Sequence, residues 1–289
     1  MIVQEQELMG TVWRIKLPKE HEQFFSFCFS FLQDFEDEFS RFKVGGTLHG
    51  LNKHLNVWQT ISPRMQELFT KAQEVFELTN GAFDITVKKD LDRLGYDEEY
   101  SFTEKKVSWV KKLFPSSKKK RFQLKENQVK LFQEVDFGGI GKGFALDQLA
   151  QALEKEGVKT FYLDAGGDIL TRNSQKVPIG LEHPLDPTKI IAQIDGANKA
   201  IAGSSSNRRQ WGKNNHLIDP KKGASQQEML AVYVVAKEAW LADSLATSLC
   251  VSSEEQAIDL LERTKISAII MTSSGKVMAS KDLAKEIYV

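Results

Sequence analysis

The chain has two cysteines in 289 residues, Cys28 and Cys250, and no CxxC pair. That leaves nothing for a disulfide framework or a cysteine-rich zinc site. Both lie in apolar stretches of helical spacing, where a reduced thiol packs as a small hydrophobe. Charge of one sign is not in excess either, since Lys plus Arg and Asp plus Glu number 39 each. No global field draws the protein to nucleic acid or to an anionic membrane, and nucleic acid is not expected as a partner. Long apolar runs are missing: no stretch nears the roughly 20 residues that span a bilayer, so direct membrane insertion is not expected. Residues 1–11 carry no basic segment followed by an apolar run and no lipobox-like cysteine, which leads to the expectation of a cytoplasmic protein. An HExxH sequence and a Ser/His/Asp order are also lacking, which argues against zinc and serine-hydrolase chemistries.

What is present fills a full core, because a chain this long buries about three quarters of its unfolded surface. Residues 9–17 alternate as a strand that Pro18 ends. Phe24, Phe25, Cys28, Phe29, Leu32, Phe35 and Phe39 recur every three or four residues, which predicts a long helix with an aromatic core face. Pro63 opens a second helix that Asn80 and Gly81 close with left-handed backbone. A short strand is expected at 129–132, a helix over 142–156 and a strand over 158–163. Short strands at 190–194 and 200–202 precede a polar stretch, 204–227. A buried strand over 229–236, helices over 239–251 and 254–264, and a strand over 266–271 complete the pattern. Residues 105–121 hold eight Lys or Arg among seventeen and read as a solvated helix face and loop. With no repeat and no Gly/Ser- or Pro-rich linker to mark independent domains, the expectation over 1–289 is one large domain or two interleaved lobes of the α/β class, α+β in kind, with a mixed sheet flanked by helices.

The most informative piece is 135–147, which ends a strand, makes a turn with four glycines in the six residues 138–143, and opens a helix. Free backbone N–H groups, a helix N-terminus and Lys142 suit an anion. The spacing is neither GxxxxGK[ST] nor GxGxxG, and on its own such a turn is more often a tight strand-to-helix connection. Further on, Asp243 and Thr247 stand four apart, so on a helix they share a face and suit one oxygen-loving cation. Their other reading is a helix-start cap and a hydroxyl bonded back to a carbonyl. His216, before Leu217, Ile218, Asp219 and Pro220, lies in a segment too polar to be core, as a surface residue or a proton acceptor. The loop 79–84 offers backbone groups and Asp84, although a helix C-cap explains its glycine.

Together, Met9-Gly10-Thr11, Gly81-Ala82-Phe83-Asp84, residues 136–143, Gly166-Gly167-Asp168, His216 to Pro220 with Gly223, and Ala242-Asp243 to Thr247 resemble, in order, the motifs of the ApbE flavin transferases. The resemblance runs from residue 9 to about 250. It implies an FAD:protein FMN transferase that uses Mg²⁺, binds FAD as substrate and joins FMN phosphate to a Thr or Ser hydroxyl of an acceptor flavoprotein, releasing AMP. It also allows FAD pyrophosphatase activity giving FMN and AMP, or a non-catalytic FAD-binding protein. Carried over by position, Met9, Phe42, Ala82, Phe83, Asp84, Asp136, Lys142 and Ile218 match family contacts to FAD. Gly139 through its carbonyl, Asp243 and Thr247 match the metal positions. His216, with Asp219 orienting or sharing the role, is the implied base. Phe42 stands where an aromatic, often tyrosine, is usual, ten residues before Asn52. Leu94-Gly95-Tyr96 resembles another family feature. Two departures touch the phosphate side: residues 201–205 read Ile-Ala-Gly-Ser-Ser where Thr-Ser-Gly is common, and Lys222 replaces a usual threonine.

Overall fold

The computed structural model describes residues 1–105, 120–173 and 175–287. Most of the lysine-rich segment 105–121 lies outside the described residues. An eight-stranded sheet forms the centre, in the order Ile2–Leu8, Thr11–Leu17, Phe161–Ala165, Asp168–Arg172, Ala200–Ser205, Met229–Ala236, Ser267–Thr272 and Val277–Ala279. Every pairing within it is antiparallel, where a mixed sheet was expected; the α+β class holds. Antiparallel pairing follows from the hairpins at 9–10 and 166–167, whose tight turns reverse the chain directly.

Strand residues alternate between two cores, as the pleat requires. Leu163, Leu170, Ala202, Val232, Val234 and Ile270 face the larger core, packed under helices. Ile169, Ile201, Val235, Ile269 and Met271 face a smaller one, closed by the hairpin Pro178–His183 and Asp186–Asp195 and by Leu283. The first strand, Ile2–Leu8, escapes the sequence pattern because it is a sheet edge with five consecutive exposed residues.

Helix α1 (Phe24–Phe39) buries Phe25, Cys28, Leu32, Phe35 and Phe39, the expected stripe. Short α2 (Thr47–Lys53) follows. Helix α3 (Pro63–Leu78) has Pro63 in its first turn and is capped by Ser62, whose hydroxyl accepts the Met65 N–H at 3.0 Å. Asn80 (φ 50°) and Gly81 (φ 76°) end it in left-handed backbone, and the Gly81 N–H returns to the Phe76 carbonyl at 2.8 Å. Helices α4 (Lys88–Leu94), α5 (Gly141–Lys155), α6 (Ala239–Val251) and α7 (Glu254–Thr264) complete the set used below. Helix α6 is buried nearly all round, including Asp243, Ser244 and Ser248. A carboxylate at its centre has no water to lean on and must be paired. Among the described residues no helix is long and apolar enough to cross a membrane.

Candidate active site

The glycine turn is held from both sides before α5 begins. The Asn52 side-chain amide clamps Val135, donating to its carbonyl at 2.9 Å and accepting its N–H at 2.8 Å. Asp136 Oδ1 accepts the Gly138 N–H at 2.7 Å, and its Oδ2 forms an ion pair with Arg41 Nε. The Asp136 N–H reaches the Ile85 carbonyl at 2.7 Å, which brings the loop 82–85 alongside the turn. The expected FAD residue Asp84 is itself engaged, accepting the N–H of Thr86 at 2.9 Å and its hydroxyl at 2.8 Å; burial raises its pKa against those two bonds.

Small size at two glycines lets α6 approach. A Cβ on Gly139 would lie 3.1 Å from Thr247 Oγ1 and 3.2 Å from Phe83 Cε2, and a Cβ on Gly143 would lie 2.2 Å from the Ala239 carbonyl oxygen. The Gly143 N–H donates to Asp243 Oδ2 at 3.0 Å. Asp147 of α5 reaches across to accept the N–H groups of Ala239 and Trp240 at 2.9 and 2.8 Å, capping an α6 terminus that has no side-chain cap of its own. Gly139, Lys142, Asp243 and Thr247 therefore share one place, and the Ser204 hydroxyl lies 3.3 Å from that of Thr247.

Charge at this centre is concentrated on one ammonium between two carboxylates. Lys142 Nζ pairs with Asp168 Oδ2 and lies 3.8 Å from Asp243 Oδ1. Asp168 Oδ1 accepts the Gly203 N–H at 3.2 Å. Burial works against the charged amine, but Asp168 and Asp243 outweigh it and carry Lys142 up to about 12. Asp243 is shifted upward, first by burial and then by Asp168, with Lys142 opposing. Asp243, Thr247 and the Gly139 carbonyl are all hard oxygen donors, the set that suits Mg²⁺. Among the described residues no three His, Cys, Asp or Glu gather as a metal cage. A cation here would complete its shell with water or substrate phosphate, the usual way Mg²⁺ is held. The donors fit it on that footing.

A second cluster is aromatic. Tyr96 stacks on Trp211 at 5.8 Å and meets Phe42 edge-on at 5.7 Å, with Ile218 buried beside them. Arg41, 2% exposed, joins this cluster to the glycine turn: besides its ion pair with Asp136 it donates to Asp92 at 2.9 Å and to the Tyr96 carbonyl at 2.6 Å, over the Phe42 ring. Arg209 donates to the Tyr96 hydroxyl at 2.9 Å and to the Gly10 carbonyl at 3.4 Å, which brings the Met9–Gly10 hairpin turn to the same edge. His216 is half-buried, its ring 6.3 Å from that of Tyr96, and its buried Nδ1 has no protein partner. Burial, then Arg209, pushes its pKa down to about 3, so the imidazole is neutral at physiological pH. The Asp219 carboxylate makes no hydrogen bond to it. Its Oδ1 accepts the Lys221 N–H at 2.8 Å and its Oδ2 lies 3.3 Å from Lys222 Nζ, so the carboxylate is turned onto its own loop.

The sequence model of the ApbE family matches residues 9–270, and so covers both clusters and every residue just described. The chain belongs to the ApbE family. It is similar to the FAD:protein FMN transferase of Haemophilus influenzae, 26% identical over 314 residues that cover 96% of this chain and 89% of that protein. It is equally similar to that of Escherichia coli strain K12, at 26% over 299 residues, with 94% and 84% covered. The fold matches an ApbE protein from Thermotoga maritima with TM-score 0.87 at 22% identity, covering 100% and 99% of the two chains. It also matches the flavin transferase ApbE from Vibrio cholerae with TM-score 0.83 at 20% identity, covering 99% of each. Within this ApbE fold, the motif reading passed over Arg41, Asp147 and Arg209 and gave Asp168 no role. Arg41 carried a signal, a cation directly before Phe42, but nothing local in the sequence shows that it is buried.

Proposed function

We propose that the protein transfers the FMN moiety of FAD to a Thr or Ser hydroxyl of an acceptor flavoprotein, with Mg²⁺ and with release of AMP. The observation that carries this is the contact of the glycine turn with the Asp243–Thr247 turn of α6, at Gly139 and at the Gly143–Asp243 hydrogen bond. An anion-binding turn and a sparse oxygen site fall on one spot, as a pyrophosphate with its cation requires. The relatives' name, FAD:protein FMN transferase, supports the same reading.

In this reading Met9, Phe42, Ala82 to Asp84, Asp136, Lys142 and Ile218 contact FAD, and Asp243, Thr247 and the Gly139 carbonyl hold the metal. When bound, Mg²⁺ supplies charge neutralisation on the pyrophosphate, which lowers the repulsion met by an entering oxygen. Lys142 presents its ammonium from the start of α5, with a quarter of its side chain exposed. The acceptor hydroxyl oxygen bonds to the FMN phosphorus, the bond from that phosphorus to the bridging oxygen breaks, and AMP departs with that oxygen. His216 takes the hydroxyl proton. Its ring is neutral and one nitrogen lacks a protein partner, so it can receive the proton, and the negative charge of a bound pyrophosphate would raise the basicity that burial and Arg209 depress. Asp219 acts at one remove, by shaping the loop that carries His216.

Incubation with FAD and Mg²⁺, with and without an acceptor domain that bears a candidate hydroxyl, tests the reading by product identity. Mass spectrometry should find FMN added to the acceptor and AMP in solution. Free FMN with AMP and an unmodified acceptor would make the protein a pyrophosphatase. Intact FAD in both arms would make it a flavin-binding protein.

A further inference from the structure

Asp168 and Asp243 share one ammonium, that of Lys142, and each is fixed by its second oxygen to a different element. Asp168 Oδ1 is tied to Gly203 on the strand Ala200–Ser205, and Asp243 Oδ2 to Gly143 at the start of α5. Both carboxylates are buried, so neither can turn to water for a substitute partner. The ammonium is not shared evenly: it contacts Asp168 directly and stands 3.8 Å from Asp243 Oδ1.

That asymmetry matters if Asp243 is a cation ligand, the reading on which this inference rests. An ammonium free to settle on Asp243 would compete with a divalent cation for the same oxygen and repel it at close range. We infer that Asp168 is a positioning residue that holds the Lys142 ammonium off Asp243, leaving that carboxylate free to take a divalent cation while the amine stays aimed at the anion site. The two charges that the pyrophosphate needs are thereby kept apart. Asp168 touches neither cation nor substrate in this arrangement and acts through Lys142.

The test titrates Mg²⁺ into the protein without FAD and reads the half-saturation from the rise in unfolding temperature, a measure that needs no turnover. Asp168→Asn removes the counter-charge, so the ammonium moves to Asp243, and the half-saturating Mg²⁺ concentration should rise about tenfold or more. Lys142→Met removes the competitor and should lower it severalfold. The double variant separates the inference from a plain structural role. If Asp168 acts through Lys142, the double variant returns to within about threefold of Lys142→Met, because coupled residues are non-additive. A double variant as weak as Asp168→Asn overturns the inference, as does an unchanged half-saturation in Asp168→Asn. Should Asp168→Asn not fold, Lys142→Met alone decides: tighter Mg²⁺ supports the inference, and unchanged or weaker Mg²⁺ overturns it. Failure of the underlying reading looks different, since the unaltered protein would then show no Mg²⁺ response, with or without FAD.

Discussion

Gly143→Ala should disable the protein while barely altering its composition. The added Cβ would lie 2.2 Å from the Ala239 carbonyl oxygen and 2.8 Å from Asp243 Cβ, and the first of these is main chain that no rotamer change can clear. Carbon and oxygen approach to about 3.3 Å at closest, so α5 and α6 must part by about 1 Å at this point. The Gly143–Asp243 hydrogen bond of 3.0 Å is then lost, and the carboxylate moves relative to Lys142. Overpacking of this kind costs about 1–3 kcal/mol, offset by up to about 1 kcal/mol from the better helix propensity of alanine. A net loss of about 0–2 kcal/mol is small beside the roughly 5–15 kcal/mol of a typical domain, so the fold should stay intact. A 1 Å displacement at the reacting groups costs about 100-fold in rate, so kcat/KM for FMN transfer should drop by about that factor. Gly141→Ala is the control, because its Cβ would meet only Phe137 Cβ, at an ordinary 3.6 Å. It should keep full activity and melt no lower than the parent. Equal transfer rates in the two variants would refute the argument that close α5–α6 contact assembles the site.

Four other outcomes follow from the same geometry. His216→Ala should lower the transfer rate by about 10²- to 10⁴-fold and leave FAD affinity, measured by flavin fluorescence, unchanged; retention of full rate removes histidine from the mechanism. In the parent, kcat/KM against pH should show no inflection at the ordinary imidazole value of about 6.5, because His216 is already neutral there. Arg41→Met leaves Asp136 without its buried cation, while Asp92 keeps the Lys88 ammonium at 2.7 Å, and the denaturant midpoint should report a loss of about 3 kcal/mol. Asp147 gives a pH signature: its pKa is raised from 3.8 to about 6, chiefly by burial, against the two N–H bonds it accepts. The native state then binds the proton more tightly than the unfolded chain, so the term destabilises at pH 7 and fades as pH falls from about 6 to 4. Relative to Asp147→Asn, the parent should gain up to about 3 kcal/mol over that interval, and a flat or opposite trend in the difference would contradict it.

Sequence periodicity found the elements that bury a face and missed those that do not. Helix α1 announced itself through Phe25, Cys28, Leu32, Phe35 and Phe39, and the strand Met229–Ala236 through an unbroken apolar run, because burial imposes those patterns. The edge strand Ile2–Leu8 has no buried face to impose one, and it was silent. The candidate site divides along the same line. Glycines at 139 and 143 and the acid–hydroxyl pair at 243 and 247 were visible because turn geometry and helical spacing constrain residues close in the chain. Arg41, Asp147 and Asp168 were invisible as partners because each is defined by something distant: Asp136 and Tyr96 for the first, Ala239 and Trp240 for the second, Lys142 and Gly203 for the third. Asp219 shows the opposite case. Its nearness to His216 in sequence suggested a partnership, yet the tight turn to Gly223 offered the carboxylate a backbone N–H two residues on, and an Asx-type bond so local forms at little entropic cost. His216 Nδ1 has no protein partner, and in the proposed mechanism that base is aimed by what packs around it. Here that is Tyr96, itself fixed by Arg41, Arg209 and Trp211, so the aim of the base and the set of the glycine turn trace to the same buried guanidinium.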